Sequence, residues 1–559
     1  MTPGLRYLIA VAVLATAIEA AAVPRPARGP ELSYVLGRFA AATDDLPEAA
    51  RYFDAARRQD AVDPALTRRT FELAVAAGNA PLAILLANQL AAAHQSDPTV
   101  ALIRLTDALQ RRDWNAADAA RAGLADAGYA AVVAPIVTAW TLQGRGHTDE
   151  AIAAVDPEKF QGFARSYVTE HRAMLLATAG RSDAAAADYA ALLAGAGANV
   201  VRLRVAAAAA QQAGGHAAEA AKTLGSEAEP QLAAARIRLA SGKPIADPLT
   251  TPRQGVAWLA SRLATDLARE KPVPLALIFA RVATFLAPET PETWLIAGDV
   301  LARNRRDDAA IAAYAHVTTG DLAPAARARR AQVLADAGRD AEARVLLEAA
   351  AAAKGATAED WARLGDLDRK GLRYADAAHA YDRGIALAHG RAEAGWTLYF
   401  LRGSAYEQAG DWLHAEPDLR TALELSPQQP VVLNYLGYSL LDRGLKLGEA
   451  QALIETAAKL RPDDGSIIDS LGWAYYRTGQ YDKAAATLER AVVAEPGDPA
   501  INDHLGDAEW RIGRQLDARF RWRAALDLGI APAQAAAVRA KLDFGLDVAL
   551  AQAAVVPRR

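Results

Sequence analysis

The sequence predicts an all-α chain, a superhelical α-solenoid assembled from repeated helix–turn–helix units. Three observations point to it. Alanine dominates an apolar share of 52%, and alanine is the strongest helix former and small enough for helices to approach closely. Strand-type alternation of Val, Ile and Thr is scarce. Short glycines recur at Gly403, Gly437, Gly472 and Gly506, in steps of 34, 35 and 34 residues, and a fixed period of this size marks a stack of supersecondary units. Dividing the mature length, without the N-terminal segment, by that period gives roughly 14 or 15 hairpins.

The first element is not part of that stack. Arg6 precedes the apolar run Tyr7–Ile18, and Ala20, Ala21 and Ala22 follow it. A positive start, a short apolar stretch and an A-x-A site read as an export signal over residues 1–22. Glu19 cuts the run short of the ~20 apolar residues that cross a bilayer. An uncleaved inner-membrane anchor over residues 5–23 is the alternative. The expected location is the periplasm of a Gram-negative envelope. Residues 23–30 carry Pro24, Pro26 and Pro30, which forbid a helix and read as a stiff linker.

Residues 31–250 are expected to form degenerate hairpins. Leu36 to Ala56 is a recognisable unit, and Gly180, Ala185 and Tyr189 suggest another. Between 64 and 250 there is helical periodicity without a dependable register. Residues 251–390 are read as middle repeats, with Trp294, Gly298, Ala310 and Tyr314 in one unit and Trp361, Gly365, Ala377 and Tyr381 in another. Residues 391–530 hold the clearest units. Residues 531–559 are a cap and tail, with one helix expected over Ala531–Ala554 and Pro532 in its first turn.

The unit beginning at Gly465 serves as template. Counting Gly465 as position 1, Leu471 is 7, Gly472 is 8, Tyr475 is 11, Gly479 is 15, Tyr481 is 17, Ala484 is 20, Leu488 is 24, Ala491 is 27 and Pro496 is 32. Glycine at 8 and alanines at 20 and 27 let two helices approach, and large residues at 7, 11 and 24 fill the space left. Glycine at 15 supplies the left-handed residue that ends the first helix. Proline at 32 stops the second. The unit before it matches once one extra residue is allowed in the turn at Leu445–Gly448.

These residues resemble the tetratricopeptide repeat at nearly every signature position. The run "NYLGYSLLDRG", "DSLGWAYYRTGQY" and "INDHLGDAEWRIGR" is similar to a bacterial envelope subgroup of that family. Some members of the subgroup are lipoprotein adaptors for a carboxyl-terminal processing protease. That resemblance implies a protein-binding scaffold or adaptor, without the lipobox cysteine. A structural assembly factor for an envelope machine, such as pilus secretion or outer-membrane assembly, is the alternative. A glycan-binding or glycan-processing protein comes third.

The chemistry-bearing residues argue against an enzyme. Net charge is -4 with both signs interspersed and no basic tract, so no nucleic acid is implied. A membrane enters at most through the N-terminal segment. There are no cysteines, which excludes thiolate catalysis and Cys-ligated zinc. No zinc helix, nucleophile elbow, phosphate loop or dinucleotide fingerprint is present. No catalytic residue, cofactor or metal is expected. Asp503 and Asp507, one helical turn apart, read as a solvated acidic face, and His504 as a surface or groove residue.

What remains is a surface. Positions 2, 5, 9, 12 and 13 fall on the side of the first helix away from its partner, and in the family that side lines a concave groove. The candidate groove is Asn434, Tyr438, Leu441 and Asp442, then Asp469, Trp473, Tyr476 and Arg477, then Asp503, Asp507, Trp510 and Arg511. Tyr, Trp and Arg dominate interface energetics. The competing reading for Trp473 and Trp510 is packing against a neighbouring repeat.

Overall fold

The computed structural model describes residues 30–59, 63–125, 128–195, 200–226, 229–245, 251–269, 274–388 and 390–555. The expected export signal, nearly all of the linker and the last residues of the tail lie outside the described residues. Among the described residues there are 31 α-helices and no strand. None of these helices is long and apolar enough to cross a membrane. The chain divides into two compact units between Val333 and Leu334.

In the N-terminal unit, Asp-Pro starts set the hairpins. Asp63 accepts from the backbone N–H groups of Ala65 and Leu66, and Asp97 from that of Val100, with proline next in each case. A carboxylate at the N-cap satisfies donors that the helix cannot, and proline at the first helical position costs nothing. Helices Pro64–Ala77, Pro98–Arg111 and Ala130–Gly144 begin three successive hairpins. The hairpin Pro252–Leu267 and Pro274–Leu286, read from sequence as the start of the middle repeats, packs across all three. Gln110 donates to the Phe285 carbonyl at 2.6 Å, and Arg281 to the Ala76 carbonyl at 2.8 Å. The chain's own hairpin thus occupies the face these first helices share.

That packing explains the missing register. Helix Pro98–Arg111 buries Val100, Ala101, Leu102, Ile103, Leu105, Thr106, Ala108 and Leu109, so it is enclosed on almost every side. A helix that packs against a hairpin distant in the chain as well as its neighbours buries residues that the repeat pattern does not assign to its core. Polar groups trapped here are shifted. Burial pushes the Arg281 guanidinium down to about 10. Burial, with Arg262 nearby, pushes the His171 imidazole down to about 3. The neutral ring accepts from Trp140 Nε1 at 3.0 Å.

The C-terminal unit follows the repeat. Its hairpins include Ala358–Lys370 with Tyr374–Leu387, Pro430–Asp442 with Leu447–Leu460, Gly465–Arg477 with Tyr481–Ala494, and Pro499–Arg511 with Gln515–Asp527. Gly479 takes φ 78°, and the next amide, Gln480, donates to the Tyr475 carbonyl at 2.8 Å, closing the first helix as expected. The extra residue of the preceding turn is absorbed by Lys446, itself left-handed at φ 47°. One expectation is corrected. The terminal segment is two helices, Pro532–Phe544 and Leu546–Val555, broken at Gly545. Gly545 has φ 84°, and a Cβ there would sit 2.5 Å from the Trp510 ring.

Candidate partner-binding groove

The helix crossing decides which groove residues are free. Position 8 is glycine because position 24 lies on it: a Cβ at Gly472 would meet Leu488 at 2.5 Å, at Gly437 would meet Ile454 at 2.7 Å, and at Gly506 would meet Trp522 at 2.6 Å. Where position 24 is aromatic, its polar atom reaches back to an aspartate at position 9. Tyr381 donates to Asp366 at 2.7 Å and Trp522 to Asp507 at 3.0 Å. In the N-terminal unit, Tyr314 donates to Asp299 at 2.8 Å in the same way. Where position 24 is Leu or Ile it has no donor, and position 9 is Tyr438, Trp473 or, in the repeat of Gly403, Ser404.

This crossing sorts the candidate groove. Asp507 is 4% exposed. Besides Trp522 it holds Lys541 of the terminal helix at 2.8 Å, and Lys541 also reaches both oxygens of Asp503 at 2.9 Å. Burial raises the Asp507 carboxyl, opposed by Lys541 and reinforced by Asp503. The expected solvated acidic face is therefore a buried ion-pair cluster. Trp510 and Arg511 both engage Asp547, at 3.0 and 2.7 Å, and the Trp510 ring lies 5.5 Å from that of Trp522. The chain's own terminal helices cover these four residues. Leu441 also differs from expectation: it is fully buried, clustered with Leu440, Ile454 and Ala474, because position 12 turns toward the next repeat.

The other candidates meet around the two middle repeats. Trp473 stacks on Tyr476 at 4.7 Å on one side and on His504 at 4.2 Å on the other. It is half-buried and shares its faces with the neighbouring repeat. Tyr476 packs edge-on to Tyr481, and its hydroxyl accepts from Arg511 at 3.4 Å. Arg477 is half-buried. Asp469 is 8% exposed and both its oxygens lie 3.0 Å from His504 Nδ1. Burial lowers the imidazole, but Asp469, with Asp503 and Asp507 behind it, overrides this and raises it above the usual histidine value.

Beside that stack lies a cavity of about 390 Å³, lined by the first helices of successive repeats. Asn434, Tyr438, Asp442, Asp469 and His504 all face it. Its wall also includes Ser439 and Ser470, which the repeat pattern does not single out, and Glu407, at position 12 of the preceding repeat. Glu407 is committed to Arg443 at 2.7 Å and to the Tyr435 hydroxyl at 3.0 Å. Burial pushes the Tyr438 phenol up to about 12, helped by Asp469 and Asp442. Among the described residues no group of three or more His, Asp or Glu is placed to hold a metal.

Family models described as tetratricopeptide repeat match residues 363–430, 400–465 and 446–503. A curated TPR repeat-containing protein of Pseudomonas aeruginosa is 35% identical over 182 residues, covering 32% of this chain and 30% of that protein's length. Among solved structures, a tetratricopeptide repeat protein from Parabacteroides merdae is 14% identical, over 46% of this chain and 99% of the other, with a TM-score of 0.38. MamA from Desulfovibrio magneticus is 19% identical, over 32% and 97%, with a TM-score of 0.28. With its glycine-centred helix crossings and left-handed turns, the segment 363–503 is a run of tetratricopeptide repeats within an all-α chain of helical hairpins.

Proposed function

We propose that this chain is a non-enzymatic scaffold or adaptor of the bacterial cell envelope, and that it binds segments of partner proteins on the first-helix side of residues 430–504. Tetratricopeptide repeats generally mediate protein–protein interaction. The observation that carries the reading is the cavity at Tyr438 and Asn434, which meets the half-buried Trp473 stack through His504. Commitment of Asp503 and Asp507 to Lys541 supports a binding role over acid–base chemistry, which needs a carboxylate within reach of a substrate. The charged start, apolar run and small-residue site at residues 6–22 support export.

Photo-crosslinking tests the groove. A benzophenone amino acid at Tyr438 is expected to capture a discrete protein in envelope preparations. The same group at Val493, 82% exposed on a second helix, is expected to capture none. Equal capture at both sites, or none at either, overturns the groove. Fusing alkaline phosphatase after residue 30 tests export: activity appears only if the segment crosses the inner membrane.

A further inference from the structure

Three successive layers of the C-terminal unit carry a hydrogen-bond acceptor at position 5: Asn434, Asp469 and Asp503. The following layer supplies a basic group to two of them. His504 Nδ1 lies 3.0 Å from Asp469, and Lys541 Nζ lies 2.9 Å from Asp503. One repeat before His504, the equivalent residue is Ser470. Its short side chain donates instead to the Ser466 carbonyl of its own helix, at 3.0 Å. Asn434 Oδ1 is buried and makes no hydrogen bond among the described residues. Ser470 in place of a long side chain also leaves the cavity of about 390 Å³, inside the ~300–1,000 Å³ range of ligand sites.

Carboxylates outnumber basic groups among the residues facing that cavity. Ser439 is 5% exposed and lines the cavity. Asp442, exposed at the rim, is in no ion pair among the described residues, and the basic groups of the wall are engaged, Arg443 by Glu407 and His504 by Asp469. A buried acceptor left without a donor carries its full desolvation cost, so a donor that reaches it is favoured. Resting on the groove reading above, we infer that this cavity receives a basic side chain, arginine or lysine, from an extended partner segment. The guanidinium or ammonium group donates to Asn434 Oδ1 and pairs with Asp442, and the aliphatic stem lies along Tyr438. It takes the place that His504 and Lys541 fill within the chain in the next two layers.

The test uses the full chain and synthetic Gly/Ser heptapeptides carrying one central arginine, lysine or citrulline, with binding followed by ligand-detected NMR. Citrulline keeps the shape of arginine and removes its charge. The arginine and lysine peptides are expected to bind saturably, and the citrulline peptide at least about tenfold more weakly. Ser470→His should rebuild the internal contact and abolish binding with an unchanged melting temperature. If Ser470→His lowers the melting temperature, Asp442→Asn on the surface carries the test, with a several-fold loss expected. Equal binding of arginine and citrulline peptides, no binding of either, or full binding by Asp442→Asn overturns the inference. Crosslinking from Tyr438 without a charge preference would leave the groove standing and remove only the basic side chain. Loss of both would remove the two together.

Discussion

Two consecutive repeats, 465–496 and 499–528, share Gly at position 8, Ala at 20 and 27 and a left-handed glycine at 15, yet they treat their groove side in opposite ways. In the second, Trp522 lies over Gly506 and its indole N–H fixes Asp507, which then needs a cation and finds Lys541. In the first, Leu488 lies over Gly472 with nothing to donate, and position 9 is Trp473, stacked but still half-exposed. The lesson is that the side chains at 9 and 24 do not seal a repeat by themselves: Asp366, bonded to Tyr381, stays exposed, whereas Asp507, bonded to Trp522, is buried where Lys541 docks on it. The sealed repeat sits at the end of the array, where a terminal helix must dock. The open ones precede it and border the cavity.

The largest test of that contrast is Lys541→Met. Removing the cation leaves Asp503 and Asp507 as neighbouring buried carboxylates, and breaking a buried pair by deleting one partner costs about 3–5 kcal/mol. Urea titration of the full chain is expected to show the C-terminal unit losing that much. A loss below about 1 kcal/mol, the scale of an exposed ion pair, would mean that the terminal helix does not seal the last repeat. The crossing common to both repeats should respond less. Ala484 is fully buried where the two helices of its repeat meet, so Ala484→Leu overpacks it by about 1–3 kcal/mol. An unchanged melting temperature would show that the crossing has slack.

How much of this the sequence disclosed follows from where each constraint lies. The C-terminal hairpins were legible because their signals are local: Gly472 beneath Leu488, Gly479 in a left-handed turn, one spare residue taken up at Lys446. The N-terminal hairpins lost their register because Leu102, Ile103 and Leu105 are all enclosed once the hairpin Pro252–Leu286 packs across them, and no spacing within 98–111 announces a partner so distant in the chain. The groove was half legible. Tyr438, Asn434, Asp469 and Trp473 stand where helical spacing puts them. Leu441 belongs to the core, and Asp503, Asp507, Trp510 and Arg511 are covered by Lys541, Gly545 and Asp547 from beyond the last repeat. Ser439 and Ser470 escaped notice because a serine in a helix carries no motif. One signal was present in the sequence: aspartate at 9 coincides with an aromatic at 24 in the pairs 366/381 and 507/522, and an aromatic at 9 with an aliphatic at 24 in 438/454 and 473/488.

The smallest expected effect separates the two repeats by pH. His504 is held above the usual histidine value of 6.5, so its pair with Asp469 is fully present below that value and is lost as pH rises through the raised one. Lys541, also raised by its two aspartates, keeps its charge throughout the neutral range. The open repeat should therefore respond to neutral pH while the sealed one does not. The Trp473 indole, stacked 4.2 Å from the imidazole, reports the charge on His504. The fluorescence difference between the wild type and Trp473→Phe should titrate with a midpoint above 6.5. Asp469→Asn removes the main carboxylate acting on the ring and leaves burial to dominate, so the midpoint should fall. If the wild-type midpoint already lies below the usual value, burial outweighs Asp469, and the layer that serves Asp469 is a neutral hydrogen bond instead of a charged one. That outcome would also weaken the case for a basic side chain at Asn434, because His504 would no longer be an internal example of one.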